Sequence, residues 1–344
     1  MNKGEGKTGL MNIGNTCFLN SCVQIINHIY ELNDTYKTTF QKHKKEGTPE
    51  TEFFKEWISL HDLMWEKNGI ICPHRFVQSV HELAVKKNRE LFTGFGQNDI
   101  HEFIHLFIET IHTSISRKIE IEITGNPTTA MDEMAVKCYN YLQIVYKNEF
   151  SEILKLFYGM YMSNITSFDG NTIYSTIPET FFILDLPIPG EMNAFPPSKH
   201  TIYDCLDIFV KEEIMEGDNA WFNESTGKKE NIRKKTAFWN FPKILVISFN
   251  RFSPCGRWKR NDMIDSPLVS LDLSPYVCGY NPQKYKYDLF GVCNHFGNRG
   301  GGHYTAFVLN YLDEWIHFND GNIEMNPSPI VTPASYCLFY RLQN

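Results

Sequence analysis

The chain predicts an α+β fold with a mainly helical front half and a sheet-rich back half. Two observations carry this. Apolar residues recur at three-to-four spacing in the first 157 positions, and from about residue 158 short runs rich in aromatic and β-branched residues take over. A helical layer on a sheet places a cleft between the two, which is where an active site belongs in such an architecture.

The elements follow in order. Residues 18–30 (FLNSCVQIINHIY) put Leu19, Cys22, Val23, Ile26, Ile29 and Tyr30 on one face, which is an amphipathic helix. Asn15 and Thr16 are cap-type residues before it, and Gly14 permits a sharp entry. A second helix is expected from Asp99 to Ile115, with Asp99 and Glu102 spaced as a capping box. Residues 133–157 read as helical too. Strands are expected at 180–186, 243–249, 287–293, 303–309, 314–318 and 337–342, with one helix near 202–215. Pro187, Pro189, Pro196 and Pro197 make 187–199 a stiff, irregular loop. The first eight residues lack an apolar anchor and are expected to be poorly ordered.

Composition bounds the function. With 344 residues, 42% hydrophobic and 21% charged, the chain can bury a substantial core. A net charge of −7 argues against a nucleic-acid or anionic-membrane binder. No stretch approaches a membrane span or a secretory signal. Nine cysteines are scattered with no C-x-x-C pair, which points to reduced thiols in the cytoplasm and/or nucleus.

One cysteine stands apart. Cys17 lies in GLMNIGNTCFLNSC (9–22), at the start of the first helix, where backbone N–H groups and the helix dipole favour a thiolate. A nucleophile also needs a base, an orienting group and an oxyanion site. The base candidate is His303 in RGGGHYTAF (299–307), and the orienter lies in EWIHFNDG (314–321). If 303–309 and 314–320 pair as a hairpin, Asn319 faces His303 when the turn centres on Tyr311. Asp320 faces it if the loop is one residue longer, and alternation alone does not choose between them. Either pairing builds a Cys-His-Asn/Asp constellation.

These segments resemble the ubiquitin-specific protease family. Residues 9–24 (GLMNIGNTCFLNSCVQ) are similar to its cysteine box, and 287–341 to its histidine box. Between them, GQNDIHEF (96–103) and KILVISFNRF (243–252) match two further family elements in the family's order. The resemblance implies a papain-like cysteine protease of thumb–palm–fingers architecture, one catalytic domain over 1–344. Its thumb would be about 9–155, its fingers about 156–180 and 219–242, and its palm about 181–218 and 243–344. It implies a deubiquitinase acting on ubiquitin and ubiquitinated proteins, without cofactor. Position by position, Cys17 matches the nucleophile, His303 the general base, Asn319 the third triad residue and Asp320 its acidic neighbour. Asn12 matches the oxyanion-stabilising side chain, and Asp99 the carboxylate that contacts the basic tail of ubiquitin. His295 has no assigned role in the chemistry beyond supporting the loop over the cleft.

The sequence also departs from the family. Many members hold their fingers together with two C-x-x-C pairs on zinc. Here Thr166, Asp169, Asn223 and Thr226 occupy those places, and threonine and asparagine are poor zinc ligands. No metal is therefore expected. Strand pairing and apolar contacts from Trp221 and Phe222 are expected to hold the fingers instead. Phe18, Asn98, Ile100 and Asn250 are milder departures.

Overall fold

The computed structural model describes residues 5–94, 96–192, 196–253, 258–298 and 301–343. Cys255, Gly300 of the glycine run, and residues 193–195 of the proline-rich loop lie outside the described residues.

The front half is a helical layer. The helix at Cys17–Asn27 buries all its residues and packs on Ile100–Ile115, against which Pro49–Glu66 and then His74–Lys86 complete the layer. Their shared core is aromatic. Phe53, Trp57, Phe76 and Phe107 meet with ring centroids 5.0–6.1 Å apart at mostly edge-on angles, the geometry that ring quadrupoles prefer. The Pro49–Glu66 and His74–Lys86 helices were not singled out in the sequence. The expected 133–157 helix is two, Ala130–Tyr146 and Glu152–Phe157, because Phe150 leaves the helix to bridge Arg117.

The back half is an eight-stranded sheet. Its path runs Asn322–Met325, Trp315–Asn319, Gly301–Leu309, Lys286–Asn298, Ser335–Leu342, Ile244–Phe249 and Ile183–Leu186, with Leu271–Asp272 paired to the side. All neighbours are antiparallel except the last pair, where Val246 stands parallel to Ile183. One face packs on the helical layer through Tyr304, Ala306 and Val308, and the other forms a second core with Leu338, Ile247 and Val292. Burial on both faces explains why Ile244–Phe249 reads as an apolar run interrupted only by Ser248.

A separate four-stranded sheet, ordered Ile173–Phe181, Gly159–Ser167, Ile232–Asn240 and Glu213–Met215, packs Met160, Met162 and Trp239 against Ala135 and Cys138 of the Ala130–Tyr146 helix. Glu213–Met215 pairs with Ile232–Lys234, so the extension takes residues that the sequence reading assigned to the palm and, in part, to a helix. That helix ends at Phe209. The four positions that hold cysteine in zinc-bearing relatives lie at the far end. Asp169 accepts from Asn171 N and Nδ2, while Asn223 and Thr226 both donate to Glu230 Oε1, at 3.1 and 2.6 Å. These are turn-closing bonds. Trp221 stacks on Tyr174 at 5.7 Å and 15°, joining the two hairpins, whereas Phe222 is exposed. Among the described residues no His/Cys/Asp/Glu group could hold a metal. A strong chelator is accordingly expected to leave the melting temperature unchanged, while Trp221→Ala lowers stability by about 1 kcal/mol. Calorimetry with and without chelator checks this, and a chelator-induced fall would defeat it.

The N-terminal expectation is corrected for residues 5–8, while residues 1–4 lie outside the described residues. Residues 5–8 are held: Thr8 Oγ1 donates to Met64 O and Lys67 O, Gln24 Nε2 donates to Thr8 O, and Lys7 pairs with Glu314. Thr8–Leu10 forms a parallel strand with Gly69–Ile71. Polar bonding replaces the missing apolar anchor. Among the described residues no helix is long and apolar enough to cross a membrane.

Candidate active site

The turn before Cys17 is built by the side chains of Asn12 and Thr16. Asn12 Oδ1 accepts from Gly14 N at 3.1 Å and Thr16 N at 3.2 Å, and Thr16 Oγ1 accepts from Ile13 N. Gly14 sits at φ +117°, a region that glycine enters without steric cost. Thr16 occupies the cap position but makes no side-chain cap bond, and Asn12 closes the turn ahead of the helix rather than capping it. Cys17 becomes the first helical residue.

Cys17 is 5% exposed, and its sulfur faces the backbone N–H of Tyr304. Burial pushes the thiol above its ordinary value, with the nearby Asp320 charge adding to this, and the Tyr304 and local N–H groups only partly offset it. The expectation that the helix start would lower the pKa is therefore corrected: desolvation outweighs the local dipole. A thiolate forms here when a base accepts the proton.

His303 lies in the Gly301–Leu309 strand, and its Nε2 is 2.7 Å from Asn319 Oδ1. A carboxamide oxygen can only accept, so Nε2 carries the proton and Nδ1 is the nitrogen able to take another. The register differs from both expected pairings. Ala306 stands opposite Phe318 and Leu309 opposite Trp315, which centres the turn on Leu312. Asn310 sets this turn, its Oδ1 accepting from Leu312 N and Glu314 N. Asn319 is consequently a diagonal neighbour of His303 on the same face, close enough for a side-chain bond.

Asp320 follows at φ +52° and its carboxylate turns toward the first helix. Oδ2 accepts from Asn12 Nδ2 at 3.0 Å and Oδ1 from Asn20 Nδ2 at 2.8 Å. Asn12, Cys17 and Asp320 thus form one cluster beside the His303–Asn319 pair. Asn20 was missed. Its signal was a carboxamide three residues after Cys17 on an otherwise buried helix, where an unpaired amide would be costly.

A cleft of about 570 Å³ opens beside this cluster, with Cys17, Gln97, Asp99, His295, Tyr304 and Tyr336 in its wall. Asp99 caps its helix through His101 N at 2.8 Å, rather than through Glu102 as a capping box would require. Its second oxygen accepts from Tyr336 Oη at 3.1 Å and Tyr304 Oη at 3.4 Å. His295 is buried against Tyr304, and burial lowers its pKa to about 4, so the ring stays neutral. A Cβ at Gly302 would lie 2.3 Å from His295 Nε2, so only glycine fits there. Gln97, also unassigned in the sequence, pairs with that glycine: Nε2 donates to Gly302 O and Oε1 accepts from Gly302 N.

A cysteine at a helix start, a histidine held by a carboxamide and an adjoining cleft, set between a helical layer and an eight-stranded sheet, are the parts that thiol hydrolysis requires. The profile of the ubiquitin carboxyl-terminal hydrolase family matches residues 8–340, and the chain belongs to that family. It is similar to ubiquitin carboxyl-terminal hydrolase 2 of Homo sapiens, at 31% identity over 98% of this chain and 55% of the relative. It is also similar to ubiquitin carboxyl-terminal hydrolase 21 of Homo sapiens, at 28% identity over 98% of this chain and 62% of the relative. The chain thus spans between about half and two thirds of the length of these curated relatives. Among solved structures, the SAGA Ubp8/Sgf11/Sus1/Sgf73 DUB module bound to ubiquitin aldehyde superposes with a TM-score of 0.73. That match has 23% identity and covers all of this chain and 71% of the other. At that identity the likeness establishes the fold.

Proposed function

We propose that this chain is a cysteine-type deubiquitinase that hydrolyses the isopeptide or peptide bond after the C-terminal glycine of ubiquitin. The observation that carries the reading is Cys17 at its helix start, its sulfur facing the N–H of Tyr304, the residue after His303, whose Nε2 is 2.7 Å from Asn319 Oδ1, in a chain of this family. Cys17 gives its proton to His303 and the sulfur attacks the glycine carbonyl. Asn12 Nδ2 and the Cys17 N–H stabilise the oxyanion. His303 then protonates the departing amine, the C–N bond breaks and an acyl-enzyme remains. Water, activated by His303, hydrolyses the thioester and restores the thiol. Asn319 accepts the Nε2–H throughout, fixing the tautomer of the neutral ring and the orientation of the imidazolium. Asp320 positions Asn12 through the 3.0 Å bond between them.

The cleft wall supports the substrate. Gln97 and Gly302, bonded to each other, form one stretch of the cleft wall near Cys17, and a tail ending in glycines needs no side-chain room beside it. Asp99 supplies a carboxylate for a basic residue further back in the tail.

Turnover of a lysine-linked ubiquitin conjugate tests this reading, and an inactive chain would overturn it. Within the assay, Asn319→Ala costs more kcat than Asp320→Ala, because only Asn319 touches the imidazole. Asn319→Asp keeps much of the activity, since a carboxylate also accepts the ring N–H. The reverse ranking would move the orienting role to Asp320.

A further inference from the structure

The hairpin that carries His303 has two faces with different duties. His295 and Tyr304 stand opposite each other and face the cleft. One residue on, Phe296 stands directly opposite His303, so these two share the other face. Phe296 is 51% exposed. Gly297 beside it and Gly301 and Gly302 across from it have no side chains to cover the ring.

This inference rests on the deubiquitinase reading. There, the departing nitrogen must come within hydrogen-bond reach of His303, about 3 Å, to receive its proton. The tail reaches Cys17 along the His295–Tyr304 face, so the departing chain leaves on the face of His303. In an isopeptide the departing nitrogen carries the four methylenes of a lysine. A side chain directly opposite His303, with a Cβ separation of about 5 Å, lies alongside those methylenes. We propose that Phe296 is a specificity-determining contact for the leaving group, packing on the aliphatic stem of the ubiquitin-bearing lysine. It takes no part in bond making. Single exposed apolar residues are common on protein surfaces, and the placement opposite the base is what separates this one from them.

The test compares kcat/KM on two substrates for the wild type, Phe296→Ala and Phe296→Leu. One substrate is ubiquitin joined to the ε-amine of a lysine in a short peptide; the other is the ubiquitin C-terminal ethyl ester. This parameter covers the steps up to departure of the leaving group. Phe296→Ala is expected to lose about tenfold more on the lysine conjugate than on the ester, the range of a small apolar contact. Phe296→Leu is expected to recover most of that difference. Equal losses on both substrates would show that Phe296 only supports the strand of His303, and would overturn the proposal. So would the absence of any loss on the conjugate. A wild-type chain that turns over neither substrate would overturn the deubiquitinase reading, and the proposal with it.

Discussion

Cys17→Ala reduces hydrolysis of ubiquitin conjugates at least about 10⁴-fold, and the variant still folds. The magnitude is that of removing the nucleophile from a triad whose members act as a unit. Folding survives because the bonds that shape the turn run through Asn12, Thr16 and backbone groups, not through the sulfur. A ubiquitin carrying a C-terminal thiol-reactive group labels Cys17 in the wild type. Cys22, Cys293 and Cys337 are fully buried with thiols raised by burial, so they stay unreacted, while exposed Cys72 lies outside the cleft. Peptide mapping reads the result. An adduct at another cysteine, or activity in the alanine variant, would end the mechanism.

Asn12→Ala lowers kcat by about 10²–10³-fold, the usual cost of deleting one oxyanion donor. The structure adds a second consequence. Losing Oδ1 leaves Gly14 N and Thr16 N without their acceptor, so stability falls by about 1–2 kcal/mol as well. Asn12→Asp separates the two roles. It keeps the acceptor that closes the turn but removes the N–H donor, and it sets a second carboxylate against Asp320. Its kcat is expected to fall at least as far as that of the alanine variant. Near-wild-type kcat in Asn12→Asp would show that Asn12 serves the loop alone.

Both predictions concern residues that the sequence made visible, because their signals are local. A Gly-Asn-Thr-Cys entry to an amphipathic helix, an Asn-Asp-Gly strand end and four motifs in family order all lie within short windows. The Asn319–His303 pairing was harder. Which of Asn319 and Asp320 met the imidazole depended on a five-residue turn. The side chain that sets it, Asn310, bonds to backbone groups two and four residues on, and hairpin alternation does not report such a bond.

What the sequence determined by itself was the class of fold, the order of its layers and the Cys17, His303 and Asn319/Asp320 candidates, which follow from periodicity, turn chemistry and motif spacing, while Asn12 and Asp99 were marked out by the family resemblance. Four things were decided only by the tertiary structure. Asp320 is held by Asn12 and Asn20, about 300 residues away in the chain. The Cys17 thiol is raised rather than lowered, since its desolvation comes from elements that pack over it. Thr8 is held by bonds to Met64, Lys67 and Gln24. Phe296 is left uncovered beside the base by glycines on two strands. Each is a balance between groups distant in sequence, and such a balance exists only once the layers have packed.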